Sequence, residues 1–228
     1  MRMRLKKWAR PELEACPFYV KSPEEMRGAW KSAFSDPSLP LEVELGCGKG
    51  VSTAQQALCE RGANLVAIDI NSSVLGVCKR NVEAAFQGKR SVDNLLLMNY
   101  EIERIEQVFA PQDAVSRIYI NFPNPWTQRH RQEKHRLTHT RQLIKYRDFL
   151  VDGGEICFKT DNDELFEASL SYFPAAGYEI VEKTGDLHRE RTRPNYISEH
   201  EKLFISQGVK IKALVAKKLT DWHPIEDL

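Results

Sequence analysis

Glu44, Asp69 and Asn99 each stand at or next to the end of a short apolar run, and the first run leads into a glycine-rich turn, Gly46-Cys47-Gly48-Lys49-Gly50. A carboxylate inside a strand buried on both faces is costly unless a cation or a hydrogen-bond donor meets it. Glycines in the turn after such a strand let the backbone approach a ligand closely. A dinucleotide fingerprint, G-x-G-x-x-G, requires glycine at position 51, where this sequence has Val51. Beside a pyrophosphate Glu44 is repelled; beside ammonium and sulfonium groups it is attracted. The sign of the charge therefore points to S-adenosylmethionine rather than NAD. Asp69, roughly twenty residues beyond the glycines, is placed to accept both ribose hydroxyls, and Asn99 to hydrogen-bond the adenine. Cys47 reads as a small residue tolerated beside glycine.

A second group of residues is Asn121-Phe122-Pro123-Asn124-Pro125-Trp126, followed by Arg129, Arg131, Lys134, Arg136, Arg141, Lys145 and Arg147, with His130, His135 and His139 among them. The two prolines fix torsions on either side of Asn124 and bias the residues before them away from helix. A hook stiffened in this way holds a polar side chain and an aromatic ring against a planar substrate at small entropic cost. Cations beside it suit a polynucleotide, because phosphate contacts position the strand while aromatics stack its bases. The hook holds a base, and the basic tail holds the backbone attached to it.

The elements that position these groups are legible from 41 onward. Apolar runs at 41–45, 64–70, 94–99, 116–122, 154–160, 178–184 and 210–217 read as strands, and segments of helical period at 52–61, 72–87, 101–108, 138–150 and 162–173 lie between them. This alternation predicts a doubly wound α/β fold with a mostly parallel, seven-stranded sheet. A charged helical stretch, 198–207, separates the last two strands, so an antiparallel edge strand is expected there. Residues 1–40 carry Pro11, Pro17, Pro23, Pro37 and Pro40 and no strand alternation. They read as a basic, extended arm with one short helix near 23–34, begun by Ser22 as N-cap. The expected organisation is thus an N-terminal extension, 1–40, and a catalytic domain, 41–228.

Length and charge limit the partners. At 228 residues the chain can bury a full core, and a formal net charge of +1 argues against a uniformly basic nucleic-acid binder. The cations are instead clustered, at Arg2, Arg4, Lys6, Lys7 and Arg10 and again after the hook, with Asp221, Glu226 and Asp227 helping to balance them. Five scattered cysteines without a C-x-x-C pair read as reduced thiols, neither a disulfide framework nor a zinc site, and no metal is expected. The charged N-terminus lacks the apolar stretch of a signal peptide, and no apolar run has the length to span a bilayer. A soluble, cytoplasmic protein without a membrane partner is the expectation.

With these motifs in order, VELGCGKG, AIDI, LLLMNYE, INFPNPW with its basic tail, KTDN and SEHEKLF, the sequence resembles the tRNA (guanine-N7)-methyltransferase family from about 41 to 217. The resemblance implies a Rossmann-like methyltransferase fold, S-adenosylmethionine as methyl donor, and transfer to N7 of a guanine in the tRNA variable loop by a monomer or homodimer. It also implies that Glu44, Gly46, Gly48, Asp69 and Asn99 bind the donor. Asp161, Ser198, Glu199, His200 and Glu201 fall at positions near the substrate guanosine, as does Gln128, where the family commonly has a lysine. Asn124 falls where the family usually has an aspartate treated as catalytic, and SEHE stands in place of a more usual TEYE. Two other readings remain: an exocyclic-amine methyltransferase using Asn124-Pro125-Trp126, and a tRNA-binding relative without turnover.

Overall fold

The run LEVEL forms the central strand because its neighbours bury both of its faces: every residue of β2 (Leu41–Leu45) is buried. The computed structural model describes residues 5–190 and 193–223. Arg2, Arg4, Glu226 and Asp227, named above for their charge, lie outside them.

Eight strands form one sheet in the order β1-β4-β3-β2-β5-β6-β8-β7. Beside β2 these are β1 (Tyr19–Val20), β3 (Asn64–Asp69), β4 (Leu95–Asn99), β5 (Val115–Asn121), β6 (Leu150–Thr160), β7 (Tyr178–Thr184) and β8 (Lys212–Lys218). All seven expected strands are present, and an eighth, β1, comes from the N-terminal extension and pairs parallel to β4. The antiparallel pairing falls at the expected end of the sheet. The reversed strand is β8, which is wedged between β6 and β7, so β7 is outermost. The β7–β8 pairing shifts register between Ile180 and Glu182.

The helices are α1 (Ala9–Glu14), α2 (Val51–Cys59), α3 (Ser72–Phe86), α4 (Thr140–Arg147), α5 (Asp163–Ala175) and α6 (Glu199–Ser206). Several begin on side chains that satisfy free amide groups. Asn71 accepts from Ser73 and Val74 at α3, and Asn162 accepts from Leu165 at α5. The chain runs from β2 to β3 and β4 on one side, then returns to β5 and β6 on the other. The strand order thus reverses between β2 and β5, the place where an open α/β sheet leaves a crevice at its carboxyl edge. The glycine turn leaves β2 and the hook leaves β5, so both open onto this crevice.

Two expectations are corrected. The segment 101–108 is a 3-10 helix, Ile102–Gln107, kinked at Arg104, not a regular helix. The helix expected near 23–34 is two 3-10 turns, Pro23–Met26 and Trp30–Ala33, and Ser22 makes no side-chain cap. The break has a physical cause: Gly28 takes φ +82°, and the buried Asp113 carboxylate accepts from Gly28 N–H (2.9 Å), Trp30 N–H (3.1 Å) and Ala110 N–H (2.8 Å). Trp30 is driven inward, fully buried, with Nε1 donating to Val108 O at 2.7 Å. Its ring stacks on Phe109 (5.2 Å between centroids), which stacks on Phe149 (5.0 Å). Residues 9–34 therefore contribute to the same core as the sheet, and the described part of the extension is no loose arm.

Trp30→Ala removes this anchor and an aromatic volume that nothing nearby can refill. It is expected to destabilise the protein by about 3–5 kcal/mol, read as a lowered urea midpoint at unchanged m-value. A loss below about 1 kcal/mol would mean that the extension merely rides on the surface.

Candidate active site

Glu44 is 1% exposed in the middle of the sheet. No cation bonds it. Its carboxylate accepts from Thr53 Oγ1 on α2 (2.5 Å) and from Asn121 Nδ2 at the end of β5 (2.9 Å). Burial pushes its pKa up, while those two hydrogen bonds and the charge of Lys159 pull it back. The glycine turn follows at once, with Gly46 at φ +80° and Gly48 at φ +58°, torsions that a side chain would strain. The amides of Gly46 and Cys47 both donate to Ile68 O (2.9 Å), and Gly48 N–H donates to Asp69 Oδ2 (3.0 Å). Asp69 also accepts from Asn71 N–H through Oδ1 (2.8 Å). Burial raises its pKa, against the two amide bonds. Asn99 pairs with Asp69 in the sheet and donates to its carbonyl at 2.8 Å. Asp69 and Asn99 are thus linked directly, and among the described residues neither Glu44 nor Asp69 carries a salt bridge.

The hook turns sharply out of β5. Phe122 and Trp126 take φ +51° and +47°, left-handed torsions at non-glycine residues, and Asn124 Oδ1 accepts from Trp126 N–H (3.1 Å). Among the described residues the Asn124 amide group has no hydrogen-bond partner, and the residue is exposed. Left-handed torsions at non-glycine residues persist only where the surroundings hold them. Here a buried arginine does so: Arg136, 1% exposed, donates through Nε to Pro125 O (2.8 Å) and through its guanidinium to Glu164 (2.6 Å) and Tyr172 (3.2 Å). His135 pairs with Glu103 and lies 5.5 Å from the Trp126 ring.

The basic tail thus divides. Arg136 is structural, Lys145 is paired with Glu106 (3.0 Å), and Arg147 donates to the carbonyls of Gly177 and Leu219. Arg129, Arg131, Lys134 and Arg141 are exposed, and their side chains have no hydrogen-bond or ion-pair partner among the described residues. Three of the seven tail cations expected to meet phosphate are therefore consumed inside the protein.

On the far side of the crevice stands α6. Ser198 and Glu201 form a capping box: Ser198 Oγ accepts from Glu201 N–H (3.1 Å) and the Glu201 carboxylate accepts from Ser198 N–H (3.5 Å). Glu201 is fully buried and accepts from Lys159 Nζ (2.7 Å) and Asn195 Nδ2 (2.6 Å). Glu199, beside it, reaches across to Lys49 of the glycine turn at 2.6 Å.

One cleft of about 760 Å³ joins these parts. Of the residues singled out from sequence, Glu44, Gly46, Gly48, Asp69, Asn124, Ser198, Glu199 and His200 line it. Asn99 lies behind Asp69, Gln128 is exposed outside the cleft, and Asp161 and Glu201 do not line it. Asp161 is engaged through its backbone carbonyl, which accepts from Lys212 (3.0 Å). Sequence reasoning gave no role to Asn121, which holds Glu44, to Lys159, which holds Glu201, or to Arg136 as the residue that holds the hook. The Asn121 signal is visible in principle, because the polar end of a buried strand must face something.

A family model described as "Putative methyltransferase" matches residues 38–214. The tRNA (guanine-N(7)-)-methyltransferase of Clostridium perfringens strain 13 is 53% identical over 96% of this chain and 100% of its own. The protein of the same name from Ruminiclostridium cellulolyticum is 45% identical over 95% and 92%. Among solved structures, a 16S rRNA (adenine(1408)-N(1))-methyltransferase from Catenulisporales acidiphilia, with cosubstrate SAM, aligns with a TM-score of 0.58 at 16% identity, covering 89% of this chain and 94% of that one. The 16S rRNA methyltransferase KamB aligns with a TM-score of 0.57 at 12% identity over 95% of each chain. These two share the Rossmann-like fold. Near-complete coverage at 53% identity decides the narrower question: the chain belongs to the tRNA (guanine-N7)-methyltransferase family.

Proposed function

We propose that this chain is a cytoplasmic enzyme that transfers a methyl group from S-adenosylmethionine to N7 of a guanine in the variable loop of tRNA. The observation that carries this reading is the cleft itself. Its glycine-turn wall presents two carboxylates, the buried Glu44 and the half-buried Asp69, that have no salt bridge among the described residues, and its other wall is a proline-stiffened hook continuing into cations without partners among them. The glycine turn, Glu44 and Asp69 fit a cationic donor, since the walls carry negative charge and the volume admits a nucleoside-sized ligand. When bound, S-adenosylmethionine supplies an electrophilic methyl group on a positively charged sulfur.

The chain's own task is then alignment. Guanine N7 is a bare lone pair, so no residue has to remove a proton, and the barrier falls chiefly through orientation and electrostatic preorganisation. Asn124 offers its amide N–H groups to guanine O6 and retains a carbonyl lone pair for a ring N–H. Trp126 and His135, both lining the cleft with their rings tilted 46° apart, supply aromatic surface for the base. Arg129, Arg131, Lys134 and Arg141 meet the phosphates outside. Nearer the N-terminus, Lys6 N–H donates to Ser73 Oγ (2.9 Å) at the start of α3, which ties the described beginning of the chain to the donor half of the domain. Ser198, Glu199 and His200 flank the base from α6.

Three measurements test this. Asp69→Ala should weaken donor binding by about 1–3 kcal/mol in calorimetry. Because burial raises the pKa values of Glu44 and Asp69, wild-type affinity for the cationic donor should also fall as pH is lowered and the carboxylates are neutralised. A flat profile and an indifferent Asp69→Ala variant would move the donor elsewhere.

Asn124→Ala should lower the single-turnover rate on a tRNA transcript by at least about tenfold, or 1.4 kcal/mol, with little change in tRNA affinity. Asn124→Asp should keep or raise that rate, because a carboxylate favours the cationic N7-methylguanine product. Isolation of N6-methyladenosine would favour the exocyclic-amine reading, and the absence of product the non-catalytic one.

Replacing Arg129, Arg131 and Lys134 by alanine should flatten the dependence of log K on log salt by roughly 0.7–0.9 for each phosphate left without its cation, with donor affinity intact. An unchanged slope would make these cations ordinary solvated surface.

A further inference from the structure

In β5 and β6, Asn121 and Lys159 are register partners, side by side on adjacent strands. Each holds one buried carboxylate. Asn121 Nδ2 donates to Glu44 on the glycine-turn side of the cleft (2.9 Å), and Lys159 Nζ donates to Glu201 under α6 (2.7 Å). The Lys159 ammonium has three protons, and all are used: the others reach Asn195 Oδ1 (2.8 Å) and Tyr196 O (3.2 Å). The main chain of Lys159 is also engaged, its carbonyl accepting from Phe122 N–H (2.8 Å) at the first strained residue of the hook. The Phe122 ring lies 5.6 Å from Nζ and stacks on Phe204 of α6 at 6.1 Å. Lys159 is itself only 7% exposed and does not line the cleft.

We infer that Lys159 is the positioning residue of the acceptor half of the cleft: through its carbonyl it sets the root of the hook that carries Asn124, and through its ammonium the start of α6. The inference rests on the methyltransfer reading above and deepens it. The acceptor-side elements are a loop and a two-turn helix, neither of which carries a strand of the sheet. Lys159 refers both to β6, and the β5–β6 register in turn refers them to Asn121 and Glu44. In-line transfer needs the reacting atoms held about 3–3.5 Å apart, and a misplacement of about 1 Å costs on the order of a hundredfold in rate. An ammonium with three fixed acceptors restricts such drift, whereas an apolar chain of similar length does not.

The test compares wild type with Lys159→Met. S-adenosylhomocysteine binding by calorimetry counts the folded donor sites, and single-turnover methyl transfer to an unmodified tRNA transcript is expressed per such site. The expected result is a transfer rate lowered by about a hundredfold, with donor and tRNA dissociation constants each within about threefold of wild type. A wild-type rate per donor site, or a parallel loss of rate, donor affinity and tRNA affinity, would overturn the assignment in favour of a purely structural ion pair. Should Lys159→Met yield no folded donor site, Asn195→Ala removes one acceptor of Lys159 and one donor to Glu201 while leaving the Lys159–Glu201 pair. It should slow transfer several-fold at unchanged donor affinity, and an unchanged rate there overturns the proposal equally. Identification of N7-methylguanosine from wild type is made first, so that failure of the functional reading is seen separately from any effect of Lys159.

Discussion

The burial of Glu44 in the central strand constrains everything around the cleft. A carboxylate at that depth must be satisfied, and the structure uses neutral donors, Thr53 from α2 and Asn121 from β5. A salt bridge there would cancel the charge that a cationic ligand requires, while no partner at all would leave the buried group uncompensated. Neutral hydrogen bonds stabilise the anion and leave its field available. They also fix where the glycine turn begins and how β5 ends, so the two lips of the crevice are set by one side chain.

The same economy explains why the hook can hold its torsions. Two left-handed residues and two prolines make a rigid but strained connection, held at its root by Lys159 O and at its far end by Arg136, a cation that a reading of charge alone places outside with the others. Its burial is tolerable because Pro125 O, Tyr172 and Glu164 accept from it, with Glu133 nearby. Stiffness and charge are joined in one stretch because part of the charge produces the stiffness.

Much of the fold was legible because it depends on local pattern. The seven strands from 41 onward appear within a few residues of their expected bounds, since apolar runs flanked by turns report burial directly. Glu44, Asp69 and Asn124 were visible as polar residues at strand ends or between prolines. What sequence did not disclose depends on partners distant along the chain. Asp113 draws Trp30 inward from 83 residues away, which no periodicity near 23–34 reveals. KTDN and SEHE stood out as chemical motifs, yet part of what they do is structural. Asn162 caps α5, Ser198 and Glu201 form a capping box, and Lys159 with Glu201 makes a buried ion pair. Asp161 and Glu201 were expected near the substrate and do not line the cleft.

The two margins of the sheet have a consequence for how these molecules behave in company. An outer strand exposes unpaired backbone groups on which another chain can build. One margin ends in β1, only two residues long, too brief a template for such growth. The other ends in β7, whose irregular pairing near Ile180 twists the strand and whose exposed Glu179 and Lys183 flank Val181. Either outer row would force an incoming strand to leave hydrogen bonds unmade or to bury a charge, so molecules crowded together lack a ready route to edge-to-edge aggregation.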